Sequence, residues 1–196
     1  MTSPAAMNAV QQMLWRRVDV PGHDACTMAP SGHGWSIRGA AAFQSEKGVA
    51  HLRYDVHVNA EWLTQSADIS GVVGERDVDY HIRRTAKGVW LLNHLAQPDL
   101  GDCTDLDLGF TPATNTIAIR RLALDMGAGT ELRSAWLDVV GDEFSPLPQR
   151  YSRESNHRYA YESSRFNFQA TLRVNDFGFI TDYPGLWVAE AQAGGV

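Results

Sequence analysis

Residues 101–122 read GDCTDLDLGFTPATNTIAIRRL, placing two alternating aspartates, an amide and a paired arginine within 22 residues. Arginine grips a carboxylate or phosphate in bidentate fashion, and aspartate accepts from sugar hydroxyls. Asp105, Asp107, Asn115, Arg120 and Arg121 would thus supply convergent polar groups that orient a ligand's head group. The same set could instead do chemistry on a glycosylated or phosphorylated small molecule. Asp105 or Asp107 would then be a general acid or base, and Arg120 or Arg121 would stabilise an anion. A structural role stands beside both: an aspartate and an arginine can pair across strands and simply fix register. Asp-Leu-Asp also has the spacing of metal-binding carboxylates in some nucleotide-sugar enzymes. Hard cations want six or more oxygens, so no metal or cofactor is assigned.

The elements that must position these groups read mainly as strands. Asp105 and Asp107 alternate with Leu106 and Leu108, so a strand puts both carboxylates on one face. Ile117 and Ile119 alternate with Ala118 and Arg120, which again reads as extended chain. Residues 111–115 supply turn chemistry between them, through Pro112, Thr114 and Asn115. The expected local structure is a β-hairpin or a wider corner that holds opposite charges together.

Elsewhere the spacing predicts strands over 36–43, 50–59, 67–73, 77–85, 89–94, 105–110, 116–124, 132–139, 149–153, 158–162, 167–174 and 180–188. Turn signals separate them, among them Lys47-Gly48, Lys87-Gly88, Gly141-Asp142 and Asn175-Asp176. A short helix is expected over 3–15, with Ser3 as N-cap and Pro4 at the first helical position. The predicted fold is mainly β: one domain over 15–188, a many-stranded antiparallel sheet curled into a barrel-like or roll-like shell with one or two short helices. An arm or helix over 1–14 would precede it, and a flexible tail over 189–196 would follow. A faint echo joins HLRYDVHVNAEW with a later KGVW to HRYAYESSRFNF with a later PGLW. If real, it implies two related meanders flanking the central motif.

A curled sheet of this size can enclose a ligand cavity as well as a core. Trp35, Trp62, Trp90, Trp136 and Trp187 fall on separate predicted strands or near them, with Tyr54, Tyr80, Tyr151, Tyr159, Tyr161 and Tyr183. Their apolar bodies and polar tips suit a cavity that holds an acyl chain beside a sugar, and equally suit plain core packing. Gln149, Tyr151, Tyr183 and Trp187 join the candidate ligand-binding residues on this basis.

The seven histidines form no HExxH or HxH, and no GxSxG, Walker or dinucleotide-binding glycine pattern is present. Hydrophobic residues at 44% and charged residues at 20% describe a globular domain. A net charge of −6 argues against general nucleic-acid binding and against adhesion to anionic membranes. Cys26 and Cys103 are the only cysteines; a disulfide would need a proximity that sequence does not show, and two reduced thiols suit a cytosolic protein. The N-terminal residues lack the basic and apolar regions of a secretory signal, and no apolar run is long enough for a membrane helix. The expected location is cytoplasmic, and the residues alone support a cavity with a polar end for a small amphipathic ligand.

The central run resembles the core motif of a bacterial family named for glycolipid binding. Further stretches resemble it in the same order: LWRRVD at 14–19, the Trp62 segment, KGVW at 87–90, Gln149-Arg150-Tyr151, and GFITDYPGLW at 178–187. The resemblance covers the chain from about Trp15 to Val188. The resemblance implies a large curled antiparallel sheet and a role in binding an amphipathic partner, a lipid or glycolipid, and it brings no established reaction. One departure is Ala118, where the family pattern would carry proline before Ile-Arg-Arg.

Overall fold

The computed structural model describes residues 10–194. Eight strands come first: β1 (Gln11–Arg17), β2 (Gly22–Ser31), β3 (Gly34–Ser45), β4 (Gly48–Asn59), β5 (Thr64–Val73), β6 (Arg76–Arg84), β7 (Trp90–Leu92) and β8 (Leu95–Ala96). A central unit follows, β9 (Asp105–Leu108) and helix α1 (Asn115–Leu122). The chain then continues through β10 (Gly129–Asp138), β11 (Glu143–Ser155), β12 (Arg158–Ser163), β13 (Phe168–Val174), β14 (Ile180–Tyr183) and β15 (Trp187–Gly194). All fifteen strands form one sheet in the order β8-β7-β6-β5-β4-β3-β2-β1-β15-β14-β13-β12-β11-β10-β9. Every pairing is antiparallel except β9 with β10, which is parallel.

This order forces curvature. Fifteen strands laid flat would span roughly 65 Å at about 4.8 Å per strand. Yet the two edge strands, β8 and β9, are joined by the eight residues 97–104, which reach at most about 30 Å. The sheet therefore rolls until its halves meet without closing a hydrogen-bonded ring. Side chains stitch the halves together. Leu106 N donates to Thr64 Oγ1 at 3.1 Å, Trp90 Nε1 to the Cys103 carbonyl at 3.0 Å, and Lys47 Nζ to the Val140 carbonyl at 2.5 Å. Arg76 reaches the Val139 carbonyl, and Tyr80 donates to Asp142. The alternation on β4 shows the inner face: Ala50, Leu52, Tyr54, Val56 and Val58 are buried, while Val49, His51 and Arg53 face out.

The centre of the roll is filled by its own chain. Residues 110–119 are all buried. β9 runs inward, the chain turns, and α1 runs back beside it. Here the structure overturns the expectation of a strand over 116–124 and of a β-hairpin: residues 115–122 are helical. The β-branched Thr116, Ile117 and Ile119 read locally as strand, but burial on all sides outweighs that modest propensity. A helix pairs its own backbone groups in a plug where no neighbouring strand is available. Arg120 and Arg121 lie in its last turn, where cations favour the negative end of the helix dipole. Ala123, in the left-handed conformation at φ 43°, ends it with its N–H on the Ile119 carbonyl.

Two further expectations meet the structure at the termini. Residues 3–9 of the expected helix lie outside the described residues, and Gln11–Arg17 is strand, paired on one side with β2 and on the other with β15. Met13 and Trp15 point inward from it, and Trp15 Nε1 donates to the Ile180 carbonyl at 2.6 Å. At the other end β15 continues through residue 194 where a tail from 189 was expected. β2 also lies outside the predicted strands. Cys26 and Cys103 are both buried and unbonded. No helix among the described residues is long and apolar enough to cross a membrane. Two meanders, β1–β8 and β10–β15, flank the central unit, and KGVW leads into β7 as PGLW leads into β15.

Candidate functional site

Three turns surround a cavity of about 280 Å³: the β9–α1 turn, the β12–β13 turn and the β14–β15 turn. The central unit contributes Asp107, Thr111 and Asn115 to its wall, and β10 and β11 contribute Trp136 and Leu147. The second meander contributes Tyr161, Ser163, Phe166, Phe168, Tyr183, Leu186 and Trp187. Phe166, 50% exposed, stands at the mouth on a 3-10 turn spanning Ser164–Phe166. The lining is thus largely aromatic with a few polar groups at one side, the composition expected of a small-molecule site.

The aromatic wall is ordered by edge-on contacts. Tyr161 and Tyr183 have ring centroids 5.7 Å apart at 74°, and Phe168 lies 5.8 Å from Tyr183 and 6.3 Å from Tyr161. Trp136 and Phe166 meet at 5.3 Å. Arg165 lies over the Trp136 ring at 4.9 Å, and Glu143 holds it through two bonds of 2.8 and 2.7 Å.

The polar side is built around Asp107 and Gln149. Gln149 Nε2 donates to Asp107 Oδ2 at 2.5 Å and to Tyr161 Oη at 3.0 Å, while Ser134 Oγ donates to Gln149 Oε1 at 2.9 Å. Asp107 sits deep in the shell yet opens on the cavity, so its carboxylate is surrounded by protein without being sealed. Desolvation pushes its pKa up to about 6; the Gln149 hydrogen bond opposes the shift, and the Asp105 charge adds to it. Burial also pushes the phenols of Tyr161 and Tyr183 well up, so both stay neutral donors. Ser163 Oγ, buried on the same wall, has no hydrogen-bond partner among the described residues.

The other residues singled out by sequence separate into distinct roles. Arg121 and Asp105 form a bidentate pair at 2.6 and 2.7 Å, with Asp105 essentially sealed from solvent. Arg120 turns elsewhere: its guanidinium lies 5.1 Å from the Trp62 ring and 5.0 Å from the Phe177 ring, and Trp35 stacks on Trp62 at 5.5 Å. Neither arginine lines the cavity. Asn115 does, and its Nδ2 donates to Tyr151 Oη at 2.9 Å, with Tyr151 fully buried behind it. Gln149 holds Asp107 from behind, and Tyr183 and Trp187 are on the wall.

Thr111, Ser163, Phe166 and Phe168 were not singled out, and Trp136 and Tyr161 were noted only among the aromatics. Most of them come from meander strands distant in sequence, and the buried-exposed alternation of Tyr159, Tyr161 and Ser163 was the available signal. Behind Thr111 lies a buried cluster centred on Asp24, a residue equally absent from the sequence reading. Asp24 accepts from Thr111 Oγ1 at 2.5 Å and from Tyr54 Oη at 2.9 Å, both on Oδ2, while Oδ1 has no partner. Among the described residues no group of three or more His, Cys, Asp or Glu stands close enough to hold a metal ion.

A crystal structure of a DUF1089 family protein from Pseudomonas aeruginosa is similar, with a TM-score of 0.75, 27% identity, and coverage of 84% of this chain and 90% of that one. A beta-barrel-like protein of domain of unknown function DUF1849 from Brucella abortus shares the fold, with a TM-score of 0.52 and 8% identity over 96% of this chain and 97% of that one. No curated protein matches the chain. Residues 12–189 match the family described as "Putative glycolipid-binding", and the chain belongs to that family.

Proposed function

We propose that this chain binds an amphipathic small molecule, a glycolipid or a ligand of that kind, in the cavity between the β9–α1, β12–β13 and β14–β15 turns. The carrying observation is the juxtaposition around one cavity of a three-ring aromatic face with Asp107, Asn115, Thr111 and Ser163. An apolar face stacks against a sugar ring or alkyl segment, while the polar edge exchanges hydrogen bonds with hydroxyls. A volume of about 280 Å³ lies just under the usual range for ligand pockets, roughly 300–1,000 Å³. It suits one sugar ring with the first part of a chain, so the rest of a long ligand would leave past Phe166. The cavity presents no free arginine, so a hydroxyl-rich head fits better than the phosphate or carboxylate that Arg120 and Arg121 were expected to hold. A hydrolytic reading would want a second acid beside Asp107, and Asp105 is already committed to Arg121.

The test is a titration of the full chain with a short-chain alkyl glucoside, followed through tryptophan emission, since Trp136 and Trp187 both line the cavity. Saturable quenching or a blue shift is expected, and Leu186→Trp, which fills the mouth from a half-buried position, should abolish it. Binding that survives Leu186→Trp unchanged would place the ligand elsewhere. Native mass spectrometry and lipid extraction of freshly purified protein would then identify the natural ligand class.

A further inference from the structure

Asp107 is a carboxylate deep in the shell with no counter-ion. Its single hydrogen bond is the one from Gln149 Nε2 to Oδ2, and no Arg, Lys or His nitrogen lies within salt-bridge distance of it among the described residues. Buried charges are ordinarily paired, because leaving one unpaired forfeits its hydration. Every group facing it is neutral or already engaged. On its own strand Asp105 adds negative charge and spends it on Arg121. From β11 come Gln149 and the phenol of Tyr151, from β12 Tyr161, and from β14 Tyr183. None of these can neutralise a carboxylate.

The rings beside it add a second observation. Three of the lining rings already carry a protein cation on a face: Trp136 and Phe166 have Arg165 at 4.9 and 5.7 Å, and Trp187 has Arg17 at 5.2 Å with Asp19 as its partner. Tyr161, Phe168 and Tyr183 carry none among the described residues, and they lie within 5.7–6.3 Å of one another around the same cavity. A group of electron-rich rings next to an unpaired carboxylate is the arrangement that recognises ammonium ions.

We infer that the cavity prefers a ligand whose polar end is an ammonium group, held by Asp107 and enclosed by the rings of Tyr161, Phe168 and Tyr183. The inference rests on the amphiphile-binding reading above and narrows its ligand class to amine-bearing or quaternary-ammonium amphiphiles, an amino sugar among them. The ligand's positive charge is the missing counter-ion, and the rings replace part of its hydration.

Three probes with the same decyl tail test it on the full chain below their micellar concentrations: decyltrimethylammonium, decyl glucoside and decyl sulfate. At pH 8 the ammonium should bind roughly tenfold or more tightly than the glucoside, and the sulfate more weakly than either. The preference should shrink as pH falls through about 6, where Asp107 takes up a proton. Asp107→Asn keeps the shape and should erase the preference, bringing the ammonium probe down to the affinity of the glucoside or below. Phe168→Leu, which leaves the charge intact, should reduce the preference several-fold. Equal ammonium and glucoside affinities, or a preference that survives Asp107→Asn, would overturn the ammonium inference and leave the amphiphile reading standing. No binding of any probe would overturn both.

Discussion

Arg121 and Asp105 close the central unit on itself: the guanidinium at the last turn of α1 meets the carboxylate at the first residue of β9 through two bonds, Nε to Oδ1 at 2.6 Å and Nη2 to Oδ2 at 2.7 Å. The pair fixes how the helix lies against the strand that carries Asp107, two residues further on. Its function is therefore to position the cavity wall, and it leaves neither charge for a ligand.

This pair sets the first prediction. Asp105 is 1% exposed, so Arg121→Ala strands a buried carboxylate, and stability should fall by about 3–5 kcal/mol. Arg121→Lys should recover only part, because an ammonium cannot reproduce the bidentate fork. Arg120→Ala should cost about 1 kcal/mol, the scale of a cation–π contact, since Arg120 rests on Trp62 and Phe177 without a carboxylate. Urea midpoints of the three variants decide it. A larger loss for Arg120→Ala than for Arg121→Ala would reverse the assignment.

The second concerns pH. Burial raises the Asp24 carboxyl from its ordinary 3.8 to about 7, against the opposing hydrogen bonds from Thr111 and Tyr54. The folded state thus holds a proton between pH 4 and 7 that the unfolded chain has released. Stability from this group falls as pH rises through that window and stays low above it. Asp24→Asn removes the titration, though its new amide donor faces the site where Oδ1 lacks a partner, a pH-independent cost of about 1–3 kcal/mol. Melting curves from pH 4 to 8 should therefore show the variant losing less than wild type as pH rises. Parallel curves would mean that Asp24 is ionised throughout.

The strand content of the two meanders was legible because half-buried strands alternate, as β4 and β12 do. Two elements hid for physical reasons. In β2 the inward positions are Asp24, Cys26 and Met28, so a buried carboxylate broke the apolar alternation that marks a strand. In α1, Ile117 and Ile119 imitate a strand, because eight residues, the first five of them buried, are too few to display a helical period in sequence. The site was half legible for the same reason. The motif exposed Asp107 and Asn115, but its charges suggested that both arginines would face the aspartates, and only the curled sheet shows Arg120 leaving for Trp62. The aromatic wall arrives from β10 and from β12 to β15 with their turns, and spacing carries no information about such a meeting.

Gly39 provides a third prediction, about the support beneath the cavity. A Cβ there would stand 2.2 Å from Tyr54 Oη and 2.7 Å from the Ala25 carbonyl, so Gly39→Ala must push the Tyr54 ring aside. Tyr54 would lose its bond to Asp24, and Thr111 would keep the carboxylate alone. The expected result is a loss of about 1–3 kcal/mol, the scale of an overpacked interior. It should be accompanied by a weaker alkyl-glucoside affinity, because Thr111 lines the cavity. A Gly39→Ala protein with wild-type melting temperature and affinity would show that the cluster does not support the wall.

Gln149→Glu sets the last prediction, at the polar edge itself. In the native chain Gln149 accepts from Ser134 and gives both of its other bonds, to Asp107 and Tyr161, from Nε2. Glutamate keeps the acceptor for Ser134 but points a second oxygen at Asp107 Oδ2, where the native distance is 2.5 Å. Two carboxylates so close resist ionising together, so the folded protein should retain a shared proton up to about pH 7 and release it above that. Because the unfolded chain releases that proton near pH 4, stability should drop as pH rises, by about 2–3 kcal/mol between pH 5 and 8. Gln149→Leu makes the contrast: it removes the donor to Asp107 and orphans Ser134 Oγ, but adds no second acid, so its loss should vary less with pH. At pH 8 the glutamate variant carries extra negative charge beside the three rings. It should bind decyltrimethylammonium more tightly than wild type and decyl glucoside no better, and a matched rise for both probes would show that the change acts on cavity shape instead of charge.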